Sequence, residues 1–135
     1  MMNETNTIPA ERLILLVDDN RDAARLLGRM LQLKKYAVHT CYDGPSGLEA
    51  AERLRPPVVL LDLAMPDLDG YAVCRAIRAE PWGAQMLVIA QSGYGSAADQ
   101  QRSKEAGFDA HFTKPVDFAA LLDLLEERLN PVQKE

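Results

Sequence analysis

Val58-Val59-Leu60-Leu61-Asp62-Leu63-Ala64-Met65-Pro66-Asp67-Leu68-Asp69-Gly70 is the stretch that decides the fold. Its first four residues are apolar without alternation, the pattern of a parallel strand buried on both faces. An aspartate ends that strand, and Pro66 and Gly70 punctuate the loop that follows. A carboxylate at the end of a fully apolar strand must be solvated at the sheet edge or paired.

Working outward, three more apolar runs end in the same way. Leu13 to Val17 leads into Asp18-Asp19, Met86 to Gln91 into Ser92, and the weaker Ala110-His111-Phe112 into Lys114. A fifth segment, Ala37 to Cys41, alternates and is only partly β-branched, as expected of a sheet edge. Helix-like segments lie between the strands. Asn20 offers an N-cap to a first helix with Ala23, Leu26, Leu27, Met30 and Leu31 at helical spacing. A second carries Leu48, Ala51 and Leu54 and stops before Pro56-Pro57, and a third carries Tyr71, Cys74 and Ile77. The fourth, about Ser96 to Glu105, has almost no apolar stripe. The fifth, capped by Asp117, has a strong one in Phe118, Leu121, Leu122, Leu125 and Leu129, with Pro131 after its end.

Five strand–helix units predict a single α/β domain, a (βα)5 doubly wound parallel sheet with right-handed crossovers. The common flavodoxin-like order for five strands is 2-1-3-4-5, with its switch point between strands one and three. Those are the strands that deliver Asp18, Asp19 and Asp62. The domain is expected over 12–130, with a flexible N-terminal tail at 1–11 and a C-terminal tail at 131–135.

Bulk properties narrow the function. The chain has 135 residues, 47% hydrophobic and 26% charged, and a net charge of −5. Its 15 basic residues are scattered, which argues against a nucleic-acid partner. The longest apolar runs are strand-length, far short of the about 20 residues of a membrane helix. The start lacks a signal-peptide layout, so a soluble cytoplasmic protein is expected. Cys41 and Cys74 read as small buried hydrophobes in a reducing compartment.

Three carboxylates, one hydroxyl and one ammonium in one crevice suit a metal ion and a phosphoryl group. Two ionised carboxylates about 4 Å apart repel by roughly 4 kcal/mol at an effective dielectric near 20. A cation relieves this, and all-oxygen ligands with an incomplete protein cage suit Mg²⁺. The plainer alternative, that Asp18, Asp19 and Asn20 only cap a helix, leaves Asp62 unexplained. Asp62, Ser92-Gly93 and Asp69-Gly70 each read alone as turn chemistry, and Lys114 alone as a solvated lysine.

Taken together, Leu-Val-Asp-Asp-Asn at 16–20, Leu-Leu-Asp-Leu-Ala-Met-Pro-Asp-Leu-Asp-Gly at 60–70, Ala-Gln-Ser-Gly-Tyr-Gly at 90–95 and Gly-Phe-Asp-Ala-His-Phe-Thr-Lys-Pro at 107–115 resemble the receiver domain of two-component response regulators. The resemblance covers about residues 12 to 130. It implies that Asp62 takes a phosphoryl group from a phosphohistidine of a sensor histidine kinase or histidine phosphotransfer protein. It implies Mg²⁺, with Mn²⁺ as a substitute, held by Asp18, Asp19, Asp62 and the backbone carbonyl of Ala64. Lys114 and Ser92 would contact phosphoryl oxygens, and the module would catalyse only its own phosphorylation and slow dephosphorylation.

Ser92 would also begin a switch towards helix four, strand five and helix five. Most relatives complete that switch with an inward-turning aromatic three residues before the lysine, and this chain has His111 there. Neutral His111 is expected inward, with protonation favouring exposure. Positions two after the phosphoacceptor and two after the serine, here Ala64 and Tyr94, are expected to set the lifetime of the phosphorylated state. A monomer or a weak phosphorylation-dependent dimer is expected, with the downstream protein target unassigned. The rival classes are a docking-only version of the fold and a metal-dependent phosphohydrolase or nuclease, for which Asp67 and Asp69 offer a D-x-D spacing. A phosphatase with an aspartate nucleophile would instead need its second aspartate two residues after the first, whereas Asp18 and Asp19 are adjacent.

Overall fold

The computed structural model describes residues 10–93 and 95–129. Of the N-terminal tail expected at 1–11, residues 1–9 lie outside the described residues, as do the C-terminal tail at 131–135 and Tyr94. The chain runs β1 (Leu13–Val17), α1 (Arg21–Leu33), β2 (Ala37–Cys41), α2 (Gly44–Leu54), β3 (Val58–Asp62), α3 (Gly70–Arg78), β4 (Leu87–Ser92), α4 (Ala97–Ala106), β5 (Ala110–Thr113) and α5 (Phe118–Leu129). Single 3₁₀ turns at Ala10–Arg12 and Pro81–Gly83 precede β1 and β4. The five strands are all parallel, as the alternation predicts, and they lie in the order β2-β1-β3-β4-β5 common to such sheets. No helix among the described residues is long and apolar enough to cross a membrane.

Strand alternation divides the interior into two cores. Leu15, Val17, Val59, Leu61, Val88 and Ala90 face α2, α3 and the end of α4. Ile14, Leu16, Val58, Leu60, Leu87 and Ile89 face α1 and α5. The same parity governs the strand ends, because successive side chains of a strand point to opposite faces.

Local capping places each helix. Asn20 accepts from the Ala23 amide, Asp43 from Ser46 and Asp69 from Ala72. The Asp69-Gly70 step is therefore a helix start rather than an independent turn. Gly70 stands so close to the end of β3 that any Cβ there would collide with the Asp62 carbonyl. Ser96 and Asp99 form a reciprocal capping box on α4, which ends at Gly107 in the left-handed region.

The stripe expected on α1 is rotated in the structure. Its buried face is Ala24, Gly28 and Leu31, whereas Leu26 is 64% exposed. Small residues let α1 lie close to the sheet, with the position of Gly28 against Val38 and Leu16. The larger Leu26 is consequently left facing outward. On α5 the expected stripe holds, with Leu121 and Leu125 fully buried. On α4 only Ser103 and Ala106 are buried.

At the opposite edge of the sheet, Arg78 ties the elements together. It donates to the carbonyls of Gly107, Gly83 and Met86 and pairs with Asp109 at 2.8 Å.

Candidate functional site at the carboxyl edge of the sheet

Asp62 closes β3, and Asp18 follows β1, its neighbour in the sheet. Both side chains are buried, at 3% and 2% exposure, and both fall on the α1/α5 side by strand parity. Asp19 is exposed at the rim. Carboxylate oxygens of Asp18, Asp19 and Asp62 lie within 4.8 Å of one another. Lys114, just beyond β5, reaches Asp18 Oδ2 at 3.2 Å and Asp62 Oδ2 at 3.4 Å.

Each buried carboxylate is held from more than one side. Asp18 accepts from the Asn20 amide at 3.0 Å and from Gln91 Nε2 at 3.3 Å. Asp62 accepts from the Ala64 amide at 3.2 Å. Burial, and then the hydrogen bond and charge of Asp18, push the Asp62 carboxyl up to about 7 against the pull of Lys114 and the Ala64 amide. Burial draws the Lys114 ammonium down, but Asp62 and Asp18 more than reverse this and leave it above its ordinary value. Without a cation, Asp62 has only a share of the one lysine, which also serves Asp18, and it resists ionisation. The donor set fits a hard divalent ion such as Mg²⁺, which takes carboxylate oxygens and retains waters.

Ser92 and His111 occupy the other face. Ser92 Oγ lies 2.8 Å from His111 Nε2, and His111 Nδ1 lies 3.1 Å from Ser103 Oγ on α4. His111 is thus inward, half-buried and bonded on both ring nitrogens, while Phe112 turns to the α5 core as alternation requires.

The structure therefore brings Asp18, Asp19, Asp62 and Lys114 together, and pairs Ser92 with His111. Gln91 and Ser103 carry roles that sequence reasoning missed. Gln91 had a signal, being an amide inside an otherwise apolar strand. Ser103 had none, because α4 is polar on every side.

Two openings flank the site. A groove of about 490 Å³ runs beside Asp18 and Lys114, lined by Leu26, Leu27, Met30 and Phe118. A cleft of about 140 Å³ lies by Ala64 and Ser92, where Arg102 stacks over the Tyr71 ring at 4.0 Å.

A family model described as the response regulator receiver domain matches residues 14–126. The chain belongs to that family. Response regulator PleD of Caulobacter vibrioides is 36% identical over 104 residues, covering 77% of this receiver and 23% of that protein. Transcriptional regulatory protein PrrA of Mycobacterium tuberculosis is 37% identical over 109 residues, covering 81% and 46%. This receiver spans less than half the length of either regulator. An uncharacterised 14.6 kDa protein of Leptolyngbya boryana is 33% identical, covering 84% of this chain and 87% of that one.

Solved structures agree. The receiver domain of sensor histidine kinase PA1611 from Pseudomonas aeruginosa, with a magnesium ion coordinated in its active-site cleft, superposes with a TM-score of 0.80. It is 32% identical and covers 87% of this receiver and 96% of that chain. Chemotaxis protein CheY4 of Vibrio cholerae also has a TM-score of 0.80, at 26% identity, covering 85% and 96%. The receiver is a signalling module of the two-component, phosphorelay type.

Proposed function

We propose that the receiver, as a domain over 12–130, accepts a phosphoryl group on Asp62 from the phosphohistidine of a sensor histidine kinase or histidine phosphotransfer protein. The observation that carries this reading is the buried Asp62 carboxylate, 3.4 Å from the Lys114 ammonium and clustered with two further carboxylates. An Asp62 oxygen forms a bond to phosphorus as the phosphorus–nitrogen bond breaks, and the departing imidazole takes up a proton. Lys114 neutralises one phosphoryl oxygen, the Ser92 hydroxyl donates to another, and the Ala64 amide steadies the attacking carboxylate. Asp18, Asp19, Asp62 and the Ala64 carbonyl would hold Mg²⁺, or Mn²⁺ in its place, and the ion would supply neutralisation of the transferring oxygens. Gln91 and Lys114 fix Asp18 for that task. Ala64 and Tyr94 would set the lifetime, since the methyl group of Ala64 offers no polar atom to orient an attacking water.

The phosphodonor's histidine-bearing helix is proposed to lie in the groove between α1 and α5. That groove is continuous with the site, since Asp18 and Lys114 line both. It presents an exposed leucine that the core does not need.

Mass spectrometry after incubation with a small acyl phosphate and Mg²⁺ tests this reading. One labile phosphoryl adduct on Asp62, absent from Asp62→Asn, is expected. No adduct would support a docking-only module, and rapid phosphate release would support a hydrolase.

A further inference from the structure

The direction of the hydrogen bonds around His111 can be worked out. The Ser103 hydroxyl donates to the Gln100 carbonyl at 2.9 Å. A hydroxyl carries one proton, so towards His111 Nδ1 the Ser103 oxygen acts as acceptor. Neutral His111 therefore carries its proton on Nδ1, and its bare Nε2 accepts from the Ser92 hydroxyl. The chain points one way, from Ser92 through the imidazole and Ser103 to the backbone of α4.

Building on the proposed phosphorylation of Asp62, we infer that phosphoryl transfer reverses this chain and delivers the signal to α4 through Ser103. The Ser92 hydroxyl has one proton and cannot serve both a phosphoryl oxygen and Nε2. When it turns to the phosphoryl group, its oxygen presents only lone pairs to the imidazole. Contact is kept by moving the imidazole proton, with no net gain or loss, from Nδ1 to Nε2, so that Nε2–H donates to Ser92. Bare Nδ1 then accepts from the Ser103 hydroxyl, which leaves Gln100.

The final step falls on one of the two buried residues of α4. A serine hydroxyl bonded to a preceding helical carbonyl bends a helix slightly, and its release relaxes that turn. Gln100 keeps the acceptor place that its position inside α4 provides. His111 thus acts as a positioning residue between Ser92 and α4, a task a phenol or phenyl ring in its place could not perform, having no ring nitrogens.

The test is ¹⁵N NMR of the imidazole ring in the full chain at pH 8, above the ordinary histidine value of about 6.5. His39→Gln leaves a single histidine to observe, since the chain has 2. The proton is expected on Nδ1 in the free protein and on Nε2 after adding Mg²⁺ and beryllofluoride, a phosphoryl mimic. Occupancy is read separately from the Asp62 and Ala64 amides. Occupancy with Nε2 still bare, or with both nitrogens protonated, overturns the reversal and leaves the phosphoacceptor reading intact. Absence of occupancy overturns both. Ser103→Ala is expected to keep the Asp62 and Ala64 shifts and lose most of the response of α4 amides; an undiminished α4 response overturns the relay.

Discussion

Helices α4 and α5 flank the same short strand, and they are attached to the sheet by opposite means. α5 buries Leu121 and Leu125 completely and rests Phe118, Leu122 and Leu129 on the same core. α4 buries only Ser103 and Ala106, and a hydrogen bond between Ser103 and His111 links it to β5. Apolar area is non-directional and costly to expose, whereas a hydrogen bond can change partner for about 1 kcal/mol. The face bearing Asp18, Asp62, Gln91 and Lys114 is thus the more firmly seated, and the face bearing Ser92 and His111 is the one the proposed relay would rearrange.

The comparison breaks most visibly at the core of α5. Leu125→Ala should lower stability by about 2–5 kcal/mol in urea unfolding, the range for a large-to-small change in a full core. Ser103→Ala should cost no more than about 1–1.5 kcal/mol. If the two losses were equal, α4 would be as firmly bound as α5.

The charged face gives the next effect. Asp62 titrates at about 7 in the folded, metal-free protein against 3.8 for the ordinary carboxyl. Between those values the folded state holds a proton that the unfolded state has released. Stability therefore falls as pH rises from about 4 to about 7, by at most about 4 kcal/mol. Asp62→Asn should remove this slope and be the more stable protein at pH 8, and Mg²⁺ should restore stability to the parent alone. Thermal unfolding from pH 5 to 8 measures both. A parent whose stability rises with pH over that window would show that Asp62 ionises freely.

A smaller effect sharpens the contrast in dynamics. Amides of α4 should exchange with solvent through local opening, well before those of α5, which should require opening close to the global limit. His111→Phe, which removes the ring nitrogens from Ser92 and Ser103, should speed α4 exchange several-fold and leave α5 unchanged. Equal acceleration in both helices would mean that His111 supports the whole domain.

Much of this was legible in the sequence because it is local. Unbroken apolar runs marked β3 and β4, Asn20 and Asp117 marked the starts of α1 and α5, and the spacing of charged residues at strand ends predicted their meeting. What escaped depends on distances between elements. Leu26 reads as core by periodicity, and only the close seat of Gly28 on the sheet shows that the buried face of α1 is turned away from it. Ser103 is one polar residue among many on α4, and its value comes from lying opposite His111. His111 stood out as a departure from the family pattern, but the direction of its hydrogen bonds required Gln100 to be located. Tyr94 lies outside the described residues, so its expected influence on lifetime rests on the resemblance alone.

Strand parity has a consequence for how such a domain changes over generations. His111 on β5 and Lys114 just beyond it face opposite sides, so what would address the domain and what would listen to it fall on different surfaces. On the proposed reading, substitutions around Leu26 and Met30 would retune the phosphodonor while leaving the listener undisturbed, and substitutions around Ser103 would do the reverse. Deleting one residue between His111 and Lys114 would bring both onto one face and merge the two vocabularies. Point changes would then rewire such a receiver one connection at a time, and a shift of frame within β5 would disconnect it.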